Sequence, residues 1–320
     1  VIDNSLLATF SFAVSITAPI FLVLVLGIAL KRLAIINDEF IKASSRLVFN
    51  IGLPVMLFNS CASADFSQIA DTRLLIAGGL MTFAVFFLSH FTAHWHIQDV
   101  RDRGVFVQGA FRGNLVILGL ALCAKAYGPA GVAMASLPVA MTVVIYNALS
   151  VYTLNTSLAT NTEYAGRKIA KDIAKNPLII GIALGLIANG FQFHAPGVLQ
   201  DSANYLGQMV LPLALICIGG ALDLRQLHSS KDGALAASIW KLVASPVIAC
   251  GIALALGVHG QSLAVLFLLA ASPTATVSFA MVQAMNGNAK LAANIIVQTT
   301  VFSLVTMTAG LWLLQVSGWV

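Results

Sequence analysis

Charge is scarce in this sequence. Asp, Glu, Lys and Arg make up 9% of its 320 residues, where about a quarter is usual in a soluble globular chain. With 59% hydrophobic residues and a mean hydropathy of +0.91, that scarcity excludes a soluble domain, because too little polar surface remains to face water. Carboxylates are scarcer still, and none falls at mid-depth in a long apolar run. Asp65 and Asp223 stand at run ends, and Asp71 beside Arg73 at a run start. A buried carboxylate relay for proton pumping is therefore not evident. The four cysteines (Cys61, Cys123, Cys217 and Cys250) have no C-x-x-C spacing and read as small buried hydrophobes. The six histidines lie at run ends or in loops. His90 and His94 have the i, i+4 spacing of a metal pair, but no H-E-x-x-H surrounds them. The nucleophile–base pair or metal set of an intramembrane enzyme is missing, so no catalytic residue or metal site is expected.

What is present is a succession of long apolar runs with short polar breaks, the pattern of a polytopic helical membrane protein. No run alternates as a barrel strand would. The runs predict ten spans, at 9–30, 40–62, 72–92, 104–126, 129–154, 173–193, 203–222, 233–257, 261–285 and 290–314. Each suffices for a hydrocarbon core of about 30 Å at about 1.5 Å per residue. Of the 17 Lys and Arg, thirteen fall on one side of these spans, Arg73 and Lys125 on the other, and Arg112 and Lys241 inside. The positive-inside rule makes the basic side cytoplasmic and puts both termini outside, in a cell membrane (the inner one in a bacterium). That bias accounts for the net charge of +5, so the expected surroundings are a lipid bilayer and no nucleic acid. The first apolar run reads as a span, not a signal peptide.

The chain also echoes itself. Leu53-Pro54, followed by Leu57, Asp65 and Gln68, is matched without a gap by Leu211-Pro212, Leu215, Asp223 and Gln226, 158 positions later. Five spans precede the longest charged loop. The division is a first five-helix repeat (1–154), a cytoplasmic linker (155–172) and a second repeat (173–320). Five is odd, so the repeats must be inverted in the bilayer, and a site is expected where they meet.

Several segments then resemble one family. Arg46-Leu-Val-Phe-Asn-Ile-Gly-Leu-Pro54, Asn114 through Gly119, Lys175-Asn-Pro-Leu178, Leu211-Pro-Leu-Ala-Leu215 with Gly219, and Ala271-Ser-Pro273 are together similar to motifs of the auxin efflux carrier family. That family includes bacterial malonate- and malate-type transporters and is akin to bile-acid/sodium symporters. Ala121 stands where the family commonly has proline, and the central loop is short; both point to a bacterial-type member. The resemblance implies an all-α integral membrane fold of ten transmembrane helices, in which spans four and nine break and cross at mid-membrane. It further implies a scaffold of spans 1, 2, 6 and 7, often dimeric, and a moving half of spans 3–5 and 8–10.

The residues near those breaks suit the expectation. Asn114 and Pro273 each fall roughly 15–18 Å deep. Proline disrupts span nine, and Gly113 and Gly119 loosen span four. Broken helices offer bare N–H groups and positive dipole ends to an anion. The candidate substrate-binding residues are Arg112, Gly113, Asn114, Ser272, Pro273, Thr274 and Thr276, with Tyr146 on span five and Asn59, like Asn50, on span two. Ser272, Thr274 and Thr276 serve equally as ligand contacts or as partners for carbonyls that the proline frees. Arg112 faces a cavity or snorkels back to the interface, and Lys241 beside Trp240 reads as an interfacial anchor. Asn294 and Gln298 share a helix face, lining the moving half or tying it together.

The expectation is a secondary carrier for a small mono- or dicarboxylate, working by elevator-like alternating access as a homodimer through its scaffold helices. No cofactor is expected, and the sequence leaves open whether Na+ or H+ couples transport. Two alternatives stand beside it: a sodium-coupled symporter of a bulkier amphipathic anion of bile-acid type, and, behind that, an intramembrane enzyme.

Overall fold

In a computed structural model, which describes residues 4–63, 72–158, 175, 177–193, 195–222 and 232–320, the chain is helical throughout. Among the described residues no strand forms, and one isolated β-bridge stands alone. Asp65, Gln68, Asp71, Asp223, Gln226, His194, His228 and linker residues 159–172 lie outside the described residues.

The first helix, α1, is Asn4–Arg32. Asn37 caps the second by accepting from Phe40 N–H at 2.8 Å; this helix, α2, covers 38–62 and widens into a π turn at Val48–Gly52. The cause lies just beyond, where Pro54 lacks an N–H and its ring crowds the carbonyl four residues back, so the turn opens and Leu53 N–H reaches Val48 O. Thr72–His96 forms α3 and Val100–Phe111 α4. Next, α5 covers 115–127 and begins as a π turn, Leu115–Gly119. Gly128, at φ 61°, separates it from α6 at 129–158. Then come α7 (Pro177–Gly190) and α8 (Gly197–Ala221). Helix α9 covers 232–255 and repeats the device of α2, with a π turn at Trp240–Ala244 ahead of Pro246. The chain closes with α10 (Gly260–Ala271), α11 (Val277–Ala284) and α12 (Ala289–Val316).

Seven stretches of the described residues are long and apolar enough to cross a membrane, and the apolar helices Pro177–Gly190 and Gly260–Ala271 are shorter. The sequence predicts ten spans, and the difference has physical causes. The runs at 104–126 and 261–285 are each interrupted, so neither is one continuous helix. The helix of the 173–193 run is described only from Pro177. The 129–154 run continues from its predecessor within the stretch Leu115–Leu158.

Small residues set the packing, as expected where lipid tails remove the hydrophobic drive between helices. Helix α1 lies along α8, with Gly27 against Ile216 and Gly219 against Leu24. Helix α7 lies along α2 through Gly181 and Gly185. A Cβ at Gly181 would sit 2.6 Å from Pro54 O, and one at Gly185 2.7 Å from Phe58 O. Leu22, Phe91, Leu184 and Val305 face outward, as lipid-facing side chains should. Gly185→Leu should therefore separate α7 from α2 at a cost of about 1–3 kcal/mol. It should lower the melting temperature in detergent, whereas Gly190→Ala, with nothing within 4 Å of the added Cβ, should leave it unchanged.

Candidate functional site

Two helix breaks meet inside the protein. Helix α4 ends at Arg112, whose backbone turns extended at φ −83° and ψ 96°. Helix α10 ends at Ser272, extended at φ −57° and ψ 138° because the residue before a proline is pushed out of the helical region. The two short extended segments run antiparallel through the bridge of Gly113 with Thr274. Asn114 N–H donates to Pro273 O at 2.7 Å, and Ala275 N–H donates to Arg112 O at 3.0 Å.

Each break frees carbonyls that must find donors away from water. Thr274 Oγ1 donates to Gly109 O at 2.7 Å. Ser272 Oγ donates to Leu269 O at 2.7 Å, a carbonyl that loses its normal donor because residue 273 is proline. Of the two roles open to these hydroxyls, the geometry realises the structural one. Thr299 Oγ1 of α12 completes the lacing by accepting from Thr274 N–H at 3.1 Å.

Arg112 is buried at 6% exposure and does not snorkel. Its guanidinium lies against α6, donating to Ser150 Oγ at 2.8 Å, Asn147 Oδ1 at 2.7 Å and Tyr146 O at 3.3 Å. Met281 Sδ of α11 lies 3.3 Å away. Tyr146 is itself buried, edge-on to Phe111 with ring centroids 5.4 Å apart.

Lys241 requires a correction. Expected as an interfacial anchor, it is fully buried at 0% exposure. Its Nζ donates at 2.8 Å to Ala270 O, in the last turn of α10. A Cβ on Gly113 would stand 2.9 Å from that ammonium and 2.8 Å from Ser272 Oγ. Among the described residues no carboxylate lies within ion-pair reach of Arg112 or Lys241; the ion pair that does form there, Lys31 with Asp38, is remote from them in sequence. Two buried basic side chains thus stand beside a helix break with no carboxylate partner among the described residues, an arrangement that is costly unless something else pairs with them.

Other groups at the breaks stay open. Asn114 and Thr276 are the N-cap residues of α5 and α11, and neither side chain caps its helix. The positive ends of both helices therefore lie at the crossing. Four buried polar atoms on α4, α6, α9 and α11 have no hydrogen-bond partner among the described residues: Gln108 Oε1, Tyr146 OH, Ser245 Oγ and Ser278 Oγ. A cavity of about 470 Å³ leads to this region between α2, α8 and the broken helices, lined by Lys42, Arg46, Asn50, Ile117, Cys217 and Thr276 among others. Asn50 thus lines this cavity from the α2 side. Asn59 does not join the crossing, and faces Asn204 of α8 at 3.4 Å, about 14 Å further along α2. Gln298 ties α12 to α9 by accepting from Ser238 Oγ at 3.2 Å. His90 lies beside Phe86, and among the described residues no three His, Cys, Asp or Glu side chains gather to hold a metal.

Comparison with known proteins decides the family. Residues 12–311 match the model of the family described as "Membrane transport protein", of auxin efflux carrier type. The chain belongs to this family. It is 26% identical over 293 residues to an "Uncharacterized transporter" of Methanothermobacter thermautotrophicus, covering 90% of this chain and 94% of that one. It is 27% identical over 312 residues to a "Putative malonate transporter" of Rhizobium meliloti, covering 93% and 94%. The "Uncharacterized transporter YfdV" of Escherichia coli K12 is 24% identical over 272 residues, covering 83% and 86%. This is a multi-pass membrane protein of a transporter family.

Sequence reasoning missed Lys241, and the signal was available: a lysine well inside a span deserves the same suspicion as Arg112. Ser150 and Met281 carried no comparable signal. Thr274→Val should strand Gly109 O and lower stability by about 1–3 kcal/mol, read as a drop in melting temperature. Thr276→Val, which removes no hydrogen bond among the described residues, should leave the melting temperature unchanged.

Proposed function

We propose that this protein is a secondary carrier for a small organic anion, a mono- or dicarboxylate, bound at the crossing of the two broken helices. The observation that carries this reading is the pair of buried cations, Arg112 and Lys241, at a crossing where no carboxylate of the described residues pairs with either. An anion arriving there gains from both charges and from two helix N-termini. The Asn114 amide, the Thr276 hydroxyl and the Tyr146 hydroxyl supply directional hydrogen bonds, and Gly113 lets the backbone come close. The malonate in the name of the Rhizobium relative has the right charge and size.

The internal repeat supports an inverted architecture of ten spans. The 158-residue offset carries Asn114, at the first break, onto Ser272 at the second. The same offset carries Gly128, at φ 61°, onto Asn286, at φ 56°, so both broken helices end in a left-handed residue. In this reading α1, α2, α7 and α8 form the scaffold and the other helices carry the crossing past it. The cavity between α2, α8 and the crossing then opens the site to one side at a time. Lys31, Arg32, Lys42 and Arg46 mark the cytoplasmic side, and the termini lie outside.

The test is thermal stabilisation of the purified protein by a panel of carboxylates. Malonate or a close analogue should raise the melting temperature, and Asn114→Ala should abolish that rise while the ligand-free protein keeps its fold. Arg112→Gln should weaken carboxylates at least tenfold, by analogy with the loss of a charged hydrogen-bond partner in a dry site, and leave a neutral diamide analogue unaffected. Equal losses for both ligands would make Arg112 structural.

A further inference from the structure

We propose that the Lys241 ammonium occupies the cation position of the crossing, where a coupling sodium ion would otherwise be held, so that this carrier binds its anion without sodium. The inference rests on the reading of the crossing as an anion site and adds the identity of its counter-charge.

Backbone carbonyls at the C-terminal end of a broken half-helix are the groups that hold coupling cations in transporters of this general construction. The C-terminal turn of α10 provides such carbonyls. Leu269 O is taken by Ser272 Oγ at 2.7 Å, and Ala270 O is taken by Lys241 Nζ at 2.8 Å. The cationic ligand of that turn is thus a side chain of the protein. It reaches its place because it lies on the buried face of α9, in line with Ala234, Ala237 and Ser238. The backbone at Gly113, which has no side chain, leaves room for it, since a Cβ there would stand 2.9 Å from Nζ.

The ammonium is also incompletely satisfied. It carries three donors, and Ala270 O is its one hydrogen-bond acceptor among the described residues. At 0% exposure it has no route to solvent. A buried ammonium with spare donors and no carboxylate partner is costly, and an arriving carboxylate removes that cost. Arg112 is turned away onto Ser150, Asn147 and Tyr146 of α6, which leaves Lys241 as the cation on the α9–α10 side of the crossing.

A structural reading competes with this one: Lys241 as a plain helix cap. Lys241→Gln separates the two, because an amide retains a donor for Ala270 O but removes the charge. Malonate binding to the purified full-length chain should be measured by thermal shift and calorimetry in sodium chloride and in choline chloride. The wild type should bind with the same affinity, within twofold, in both salts. Lys241→Gln should keep the ligand-free melting temperature close to wild type and lose at least tenfold in malonate affinity. Lys241→Met, which loses cap and charge together, should lose affinity at least as far, and it serves if the glutamine variant fails to fold. A wild type that needs sodium to bind malonate overturns the inference, and that measurement requires no variant. A Lys241→Gln protein with wild-type affinity overturns it as well, making the lysine a cap. A wild type silent to every carboxylate in both salts overturns the anion-site reading itself, and this inference with it; that outcome is distinguished by the absence of any response to compare.

Discussion

The structure depends on one constraint: a broken helix inside a membrane must satisfy its freed backbone groups without water, at several kcal/mol for each group left unpaired. Neither break could persist alone. Together they exchange Asn114 N–H with Pro273 O and Ala275 N–H with Arg112 O. The remaining carbonyls are met by Ser272, Thr274 and Lys241. The crossing is therefore cooperative, since each segment is the other's solvent. It is also where the polar side chains of α6, α9 and α12 have to converge.

That convergence determines which polar side chains are spent on the backbone and which are not. Hydroxyls spent on carbonyls, at Ser272 and Thr274, hold the crossing in place. Groups left over, at Asn114, Thr276 and Tyr146, are positioned by it. Bonded and open side chains thus alternate between neighbouring residues of similar chemistry, and only their partners tell them apart. The two basic side chains lie on opposite flanks, Arg112 against α6 and Lys241 against the end of α10.

The class of fold was legible from composition, because 59% hydrophobic residues leave few alternatives to a membrane interior. The breaks were legible too, since Pro273 and the pair Gly113 and Gly119 weaken helices by local rules that need no tertiary knowledge. The facing of Lys241 was misjudged: beside Trp240 it looks interfacial, but it shares the buried face of α9 with Ala234, Ala237 and Ser238, a stripe at helical spacing that the sequence already carries. Asn59 lies on the right helix but about 14 Å further along it, opposite Asn204, because a polar residue's helix can be read from sequence more easily than its distance from a break on another helix. The division of labour between Thr274 and Thr276 was beyond reach, because it depends on which carbonyl from another helix arrives nearby.

The place of Lys241 on the buried face of α9 has a consequence for how the chain can vary. One residue of an α-helix accounts for about 100° of rotation, so an insertion or deletion ahead of Lys241 in α9 would swing the lysine from the crossing toward lipid. There the ammonium would meet hydrocarbon in place of Ala270 O, at a cost of several kcal/mol. Substitutions around this lysine are a matter of packing and can be absorbed one at a time. Length is different: the spacing from the start of α9 to Pro246 behaves as a fixed count, and drift in it would be expected only together with loss of the lysine.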